Sequence, residues 1–338
     1  MRLSGRFHGA RYAWSASSIG FRFAGSKSVA VRLHVPVLPP HTVRIDGKLV
    51  SLDEKLVPYT AFVDDRPAKL VKVSPDRKSY ELASDLDPAA IHEVRLVREA
   101  EAFAGVHEFL GVDLGDGGRM LDPKKPARRI ELVGDSIMCG YGVLGKDSSC
   151  PFTYETERAS LAYPFLVARA LDAELSLMCW SGRGVYRNYG GDTTDTMPVL
   201  WERSLPEAPG TPFDFKDDPQ PDTVFVALGT NDFLGGAGKP LDTAAFEDAY
   251  AKFLRQIRER RAKAKIVVAK NSPMISGATR ARFAETIEHV IAKRRSEGDT
   301  GLDVVDLDDE GDRVGCDGHP NVEMQRLLAK QVETALRR

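Results

Sequence analysis

The sequence reads Ile130-Glu131-Leu132-Val133-Gly134-Asp135-Ser136 at the point where a short apolar run ends in a turn and a serine. Two later segments complete the pattern, Gly229-Thr230-Asn231-Asp232 after another apolar run and Asp317-Gly318-His319-Pro320 before the last helical segment. Open α/β sheets place their active sites at the carboxyl ends of the strands. A serine, an asparagine and a histidine in these positions predict a hydrolase built on an α/β sheet.

The chain after Arg129 alternates between apolar runs and segments of helical period. This alternation predicts a parallel sheet covered by helices on both faces, and we assign it to residues 129–338. The last predicted helix opens with Pro320, a residue type favoured at the first helical position. The predicted strands are Ile130–Val133, Leu175–Cys179, Thr223–Leu228, Ile266–Ala269 and Val304–Leu307, and the predicted helices are Leu161–Leu171, Thr194–Ser204, Thr243–Arg260, Ala278–Arg295 and Pro320–Leu336.

The chain up to Gly118 has the pattern of β structure, because bulky and polar residues alternate between turn residues. Short strands at this spacing predict a β-sandwich over residues 1–118. Asp46-Gly47 is typical of a two-residue hairpin turn. The next stretch is rich in Gly, Asp, Pro and Lys, and we assign residues 119–128 as the linker. The predicted strands include Val29–Leu38, Thr42–Ile45, Lys48–Ser51 and His92–Arg98.

The composition excludes several classes of partner. The 338 residues are 42% apolar, and 47 Lys and Arg against 49 Asp and Glu give a net charge of -2. This length is sufficient for two cores, and no basic run or face indicates a nucleic-acid partner. No apolar run approaches the length of a membrane span, and the N-terminal residues do not resemble a signal peptide. The oligomeric state is left open by the sequence.

The four cysteines are Cys139, Cys150, Cys179 and Cys316. They are too few and too irregularly spaced for a disulfide scaffold or a zinc site, so we expect small buried or half-buried side chains. Cys139 and Cys316 each lie within three residues of a candidate catalytic group. We expect neither a metal ion nor an organic cofactor.

The candidate catalytic residues follow from what acyl transfer requires. Ser136 is the candidate nucleophile, and its backbone N–H can face the developing oxyanion. Asn231 can present its side-chain amide to the same oxygen, although a plain turn also explains this segment. Gly184 follows the second predicted strand and allows a backbone N–H to approach closely. His319 is the candidate base, because the other six histidines lie in the β half or in a charged helix.

The chain resembles the GDSL, or SGNH, hydrolase superfamily, whose blocks I, II, III and V match Ser136, Gly184, Asn231 and His319. Longer strings resemble family 2 of the carbohydrate esterases, bacterial deacetylases with a jelly-roll domain ahead of the hydrolase domain. The resemblance implies a three-layer, flavodoxin-like SGNH sheet domain after a jelly-roll β-sandwich. These strings are Gly134–Gly142, Leu161-Ala162-Tyr163-Pro164, Ser181-Gly182-Arg183-Gly184, Thr196-Met197-Pro198 and Gly315–Pro320.

The resemblance implies a serine esterase that removes O-acetyl groups from plant-type polysaccharides such as xylan or glucomannan, or from their oligosaccharides. Ser136 would attack the acetyl carbonyl and His319 would carry the proton, with no cofactor. The partner implied is an acetylated carbohydrate. The family leads us to expect a secreted or periplasmic protein, although the chain shows no signal peptide.

One position departs from the superfamily. Many members carry an aspartate three residues before the histidine, where this chain has Cys316. Either the carboxylate of Asp317 or its backbone carbonyl would then orient the ring of His319. The second arrangement would be a Ser-His dyad, and the similar esterases include members that work with such a dyad. We favour the carbonyl, because a side chain two residues before the histidine must fold back sharply to reach it.

Tyr189 lies nearest to the position at which similar esterases place a sugar-binding aromatic. Trp180 could stack on a sugar ring, although we favour the explanation that it is an amphipathic residue half-buried under a loop. Arg183 could hydrogen-bond sugar hydroxyls.

Two other functions remain open. A GDSL hydrolase of another ester class, such as a lysophospholipase, thioesterase or arylesterase, would use the same catalytic residues. A catalytically inactive carbohydrate-binding protein would use the sandwich as a lectin-like module, since a fold alone does not define a function.

Overall fold

The computed structural model describes residues 1–45, 48–64, 66, 68–235, 238–307 and 313–337. An antiparallel β part is followed by a parallel α/β part, which confirms the predicted fold class. Within the described residues, no helix combines the length and apolar character that crossing a membrane requires.

The N-terminal part is a sandwich of two antiparallel sheets. One sheet has the order β1-β4-β11-β8-β9 with β13 beside β4, and the other has the order β10-β5-β12-β3-β2. Side chains from both sheets share one apolar core, as alternation along each strand requires. The strands are β1 (Arg2–Ser4), β2 (Phe7–His8), β3 (Arg11–Tyr12), β4 (Ser18–Ala24), β5 (Val29–His34), β6 (His41–Ile45), β7 (Lys48–Leu52), β8 (Val57–Val63), β9 (Lys69–Val73), β10 (Ser79–Ala83), β11 (Ile91–Arg98), β12 (His107–Leu114) and β13 (Arg119–Leu121).

The predicted sandwich strands are present with shifted ends. β5 stops at His34, four residues before the predicted end at Leu38. β6 and β7 pair as an antiparallel ribbon, as the hairpin pattern predicts, although its turn residues 46–47 lie outside the described residues. β13 lies inside the stretch assigned as the linker and pairs with β4.

The C-terminal part contains a five-stranded parallel sheet in the order β15-β14-β16-β17-β18. In chain order this is 2-1-3-4-5, the flavodoxin-like arrangement, which has a topological switch point between β14 and β16. Ligands of such sheets bind at the carboxyl ends of the strands beside this point. The strands are β14 (Arg128–Gly134), β15 (Ala173–Cys179), β16 (Thr223–Ala227), β17 (Lys265–Ala269) and β18 (Leu302–Val305).

Helices cover both faces of this sheet, as predicted. One face packs on α5 and α6, and the other packs on α2 and α7. Alternate strand residues serve the two faces, so that Leu132 and Val133 belong to different cores. The helices are α1 (Ser136–Cys139), α2 (Tyr163–Ala170), α3 (Met197–Leu200), α4 (Thr230–Leu234), α5 (Thr243–Arg260), α6 (Gly277–Ser296) and α7 (Val322–Arg337).

Two predicted helices were wrong in extent. The helix predicted over Thr194–Ser204 shrinks to the four residues of α3, because Asp195 has a left-handed backbone (φ 46°) and Arg203 pairs with Pro212 in an isolated bridge. Pro320 does not open α7, because the side chain of Asn321 caps it by accepting the N–H groups of Glu323 and Met324.

The expectation that the cysteines form no disulfide framework was wrong, although their side chains are buried or half-buried as expected. Cys139 is bonded to Cys179, and Cys150 is bonded to Cys316. The partners are 40 and 166 residues apart in sequence but only 5.6 and 4.6 Å apart between Cα atoms. The fold, not the sequence spacing, brings them together.

Buried charged residues lie at the interface between the N-terminal β part and the C-terminal α/β part. Glu131 on β14 lies 2.7 Å from Arg261 and 3.6 Å from Arg6, a fully buried residue of the N-terminal part. Trp201 donates its indole N–H to the same carboxylate at 2.7 Å. Trp14 of the sandwich half belongs to the core on the α5 face of the sheet. The interface is therefore continuous with the interior of the α/β part.

Candidate active site

Ser136 is the first residue of α1 and follows β14 directly. Asp135 caps this short helix, because its carboxylate accepts the N–H of Ile137 at 3.1 Å. The Ser136 Oγ lies 2.8 Å from Nε2 of His319. A serine and an imidazole at this distance can exchange a proton directly, which is the first requirement of an activated nucleophile.

His319 follows a short 3-10 turn, Cys316–Gly318. Its ring packs on the ring of Tyr141, with 4.2 Å between the centroids. Burial lowers the pKa of His319 to about 4, although the charge of Asp317 and the backbone carbonyls of Cys316 and Asp317 act in the opposite direction. The ring is therefore neutral at neutral pH and can accept a proton from Ser136.

Asp317 does not contact the ring nitrogen through its side chain. Its carboxylate accepts the hydroxyl of Tyr141 at 2.7 Å, and its backbone is left-handed, with φ 52°. Nδ1 of His319 is enclosed and has no hydrogen-bond partner within the described part of the chain. The backbone carbonyls of Cys316 and Asp317 both act to raise the pKa of the ring.

The loops that carry Gly184 and Asn231 follow β15 and β16, which lie on either side of β14. A Cβ at Gly184 would collide with the carbonyl oxygen of Arg187, so only glycine fits there. The Gly184 N–H donates to Asn188 at 3.2 Å. The Asn231 amide donates one hydrogen to the carbonyl of Arg183 at 2.9 Å, and its second hydrogen has no acceptor among the described residues.

Asp232 organises the same loop, a role that no sequence pattern indicated. Its buried carboxylate accepts the N–H groups of Val185, Tyr186 and Arg187 at 2.8 to 3.0 Å. Burial raises the pKa of Asp232, and these three N–H groups act to lower it. The loop after β15 is thus tied to the residue that follows Asn231.

The three candidate sugar-binding residues differ in exposure. Tyr189 is 68% exposed, on the loop beyond Gly184. Trp180 is only 8% exposed, and the guanidinium of Arg183 lies over its ring, 5.0 Å from the centroid. Tyr189 can therefore present a ring face to a ligand, whereas the ring of Trp180 is already covered.

Among the described residues, no group of three or more His, Cys, Asp or Glu side chains could hold a metal ion, at this site or elsewhere.

Comparisons with known proteins agree with this arrangement. The pattern of the GDSL-like Lipase/Acylhydrolase family matches residues 132–327, and the Carbohydrate esterase 2 N-terminal pattern matches residues 3–123. Cellulase/esterase CelE of Acetivibrio thermocellus is 28% identical over 99% of this chain, which spans only 39% of that protein. An acetylxylan esterase / glucomannan deacetylase of Cellvibrio japonicus is 26% identical over 81% of this chain and 74% of its own length.

Solved structures show the same fold. A family two carbohydrate esterase from Clostridium thermocellum, in complex with cellohexaose, superposes with a TM-score of 0.86 at 28% identity. The match covers 99% of this chain and 98% of that one. A carbohydrate esterase family 2 enzyme from Corynascus thermopiles gives a TM-score of 0.82 at 28% identity, over 100% and 99% of the two chains.

Proposed function

The chain belongs to the GDSL-like Lipase/Acylhydrolase family and carries a carbohydrate esterase 2 N-terminal part, and on that premise we propose that it is a serine esterase that removes O-acetyl groups from plant-type polysaccharides or their oligosaccharides. The observation that carries the proposal is the 2.8 Å contact between Ser136 Oγ and His319 Nε2 at the switch point of the sheet.

In the proposed reaction Ser136 Oγ attacks the acetyl carbonyl while His319 Nε2 takes its proton. The oxyanion is held by the backbone N–H groups of Ser136 and Gly184 and by the side-chain amide of Asn231. As the tetrahedral intermediate collapses, His319 returns the proton to the sugar oxygen that leaves. A water molecule, deprotonated by His319, then attacks the acetyl-serine, and His319 returns this proton to Ser136 Oγ as the ester bond breaks and acetate is released.

In this proposal a backbone carbonyl, not a side chain, orients the ring of His319. In the substrate complex the carbonyl of Asp317 accepts the Nδ1–H, since catalytic hydrogen bonds are often long in free enzymes. The carboxylate of Asp317 is engaged by Tyr141 instead. The chain therefore works as a Ser-His dyad.

The substrate class follows from the relatives and from the exposed aromatic ring. Relatives are named acetylxylan esterase / glucomannan deacetylase. Tyr189 can offer a ring face to a pyranose, and Arg183, whose guanidinium lies over the ring of Trp180, can hydrogen-bond sugar hydroxyls.

The decisive experiment is a product map. The protein is incubated with acetylated xylan and acetylated glucomannan, and NMR follows which acetyl signals disappear. We expect acetate release by the wild type and none by Ser136→Ala. A preference for eight-carbon or longer acyl esters over acetyl esters would instead support an esterase of another class. Sugar binding without acetate release would reduce the protein to a carbohydrate-binding module.

A further inference from the structure

A segment of the N-terminal part reaches the loop that carries Gly184. The chain after β11 is buried, and the carboxylate of Glu101 accepts the Ser181 N–H at 2.5 Å. The other carboxylate oxygen accepts the Ser181 hydroxyl. Ser181 is the second residue after β15, so a side chain from the β-sandwich half holds the start of this loop.

The loop beyond Ser181 carries Gly184, one of the proposed oxyanion donors, whose N–H donates to Asn188 at 3.2 Å in this structure. The carbonyl of Arg183 in the same loop accepts the amide of Asn231, a second proposed donor, at 2.9 Å. Tyr189 N–H donates to the carbonyl of Gly182 at 2.7 Å. A shift of Ser181 therefore moves Gly182 and Arg183, and with them the oxyanion donors.

We propose that Glu101 is a positioning residue, through which the N-terminal part fixes the loop Ser181–Gly184 for catalysis. The proposal rests on the esterase function proposed above. It gives the sandwich a role in the reaction rather than only in binding sugar.

The surroundings of Glu101 hold its backbone as well as its side chain. Arg98 donates to the Glu101 carbonyl at 2.8 Å, and the Glu101 N–H donates to Glu157 at 3.3 Å. Burial raises the pKa of Glu101 to about 7, and the two hydrogen bonds from Ser181 act to lower it. A buried carboxylate is costly unless it is hydrogen-bonded, and Ser181 supplies two donors to this one, which also hydrogen-bonds the buried carboxyl of Glu157.

Glu99 is a matched control on the same buried segment. Its carboxylate accepts the N–H of Ser160 at 2.7 Å, and Ser160 leads to α2 rather than to the oxyanion loop. Both glutamates are fully buried. Removing either therefore damages the interface, but only Glu101 acts on the loop Ser181–Gly184.

The kinetic test compares variants on 4-nitrophenyl acetate. Glu101→Ala should lower kcat by about ten- to a hundredfold with KM changed less than about threefold, because misplaced oxyanion donors act in the transition state. Glu101→Gln should stay within about threefold of wild type, since its amide can accept the Ser181 N–H and donate to the hydroxyl. Glu99→Ala should keep kcat within about threefold while its Tm falls, because it removes buried contacts only.

A second readout does not depend on activity. Amide hydrogen exchange of residues 181–188 should accelerate in Glu101→Ala and not in Glu101→Gln or Glu99→Ala. If Glu101→Ala does not fold, Glu101→Asp is measured in its place. The aspartate keeps the negative charge, but its shorter side chain cannot reach Ser181. We therefore expect Glu101→Asp to lose about tenfold in kcat.

A folded Glu101→Ala or Glu101→Asp with wild-type kcat would overturn the proposal, as would unchanged exchange in the loop. A Glu99→Ala variant that loses as much kcat as Glu101→Ala would do the same, because the effect would then belong to the interface as a whole. An inactive wild type would refute the esterase function instead, and the exchange data would still decide whether Glu101 holds the loop.

Discussion

At the scale of single residues, the environment of His319 fixes the pH range of the reaction. Because burial lowers its pKa from 6.5 to about 4, the ring remains neutral, and able to accept a proton, until the pH falls through about 4. We expect kcat/KM for 4-nitrophenyl acetate to be retained from pH 7 to about 5 and lost around pH 4. Enzyme returned from pH 4 to pH 7 must regain full activity as the control. An acid limb near 6.5 would mean that the ring is solvated.

The role of Asp317 can be separated from that of its backbone. We expect Asp317→Asn to lower kcat by less than about tenfold, because the backbone carbonyl is kept, whereas loss of the correct tautomer costs up to about ten-thousandfold. Steady-state kinetics measures kcat, and circular dichroism is the control for folding. A several-thousandfold loss in a folded variant would assign the orienting role to the carboxylate.

The sequence predicted the nucleophile and base candidates because both follow recognisable strand and loop patterns. It did not predict Asp232 or Glu101, because buried carboxylates that bind backbone N–H groups have the same residue type as surface carboxylates. The sequence also did not predict that Arg183 covers the ring of Trp180, since hydrophobicity alone does not reveal which side chain packs on it.

At the scale of elements, the turn before α7 is anchored by the disulfide between Cys150 and Cys316. The loop after α1 packs on the same turn, because a Cβ at Gly142 would overlap Cys316. The covalent bond thus anchors the position three residues before His319.

We expect Cys150→Ala to destabilise the protein by about 2–4 kcal/mol, as removal of a long-range disulfide typically does. It should also lower kcat, since the His319 loop loses an anchor. Denaturant unfolding and initial rates measure the two effects. Cys316→Ala and the double variant should match Cys150→Ala, because each removes the same bond. Clearly different losses would show that one cysteine acts by itself.

Periodicity located the long elements well. α5 runs over Thr243–Arg260 as predicted, and α6 extends one residue beyond the prediction at each end. Periodicity did not predict the bounds of α3, because the left-handed backbone of Asp195 prevents this helix from starting earlier. Neither disulfide was predictable, since sequence spacing does not report spatial proximity across a folded sheet.

At the scale of the whole molecule, the buried carboxylate of Glu131 joins the two parts. Arg6 lies over the ring of Phe213 at 4.1 Å and donates to the carbonyl of Trp201. Burial lowers the pKa of Arg6 to about 10, so its charge is present at neutral pH. Its removal leaves Glu131 with Arg261 as its remaining cationic partner among the described residues.

We expect Arg6→Ala to lower the free energy of unfolding by about 3–5 kcal/mol, the usual cost of removing one partner from a buried charge pair. Arg2→Ala is the control, because Arg2 makes an exposed bond to the carbonyl of Lys124 at 2.8 Å. It should change stability by less than about 0.5 kcal/mol. Equal losses of stability in Arg6→Ala and Arg2→Ala would contradict the expectation that the buried charges of the interface stabilise the protein.

The bond between Cys150 and Cys316 also closes a covalent ring around most of the α/β part. The ring includes β15 to β18 and the exposed loop at Tyr189. A protease that cuts once inside it leaves both fragments attached to each other. Nicked protein would therefore migrate as one species on a gel until a reductant separates the pieces.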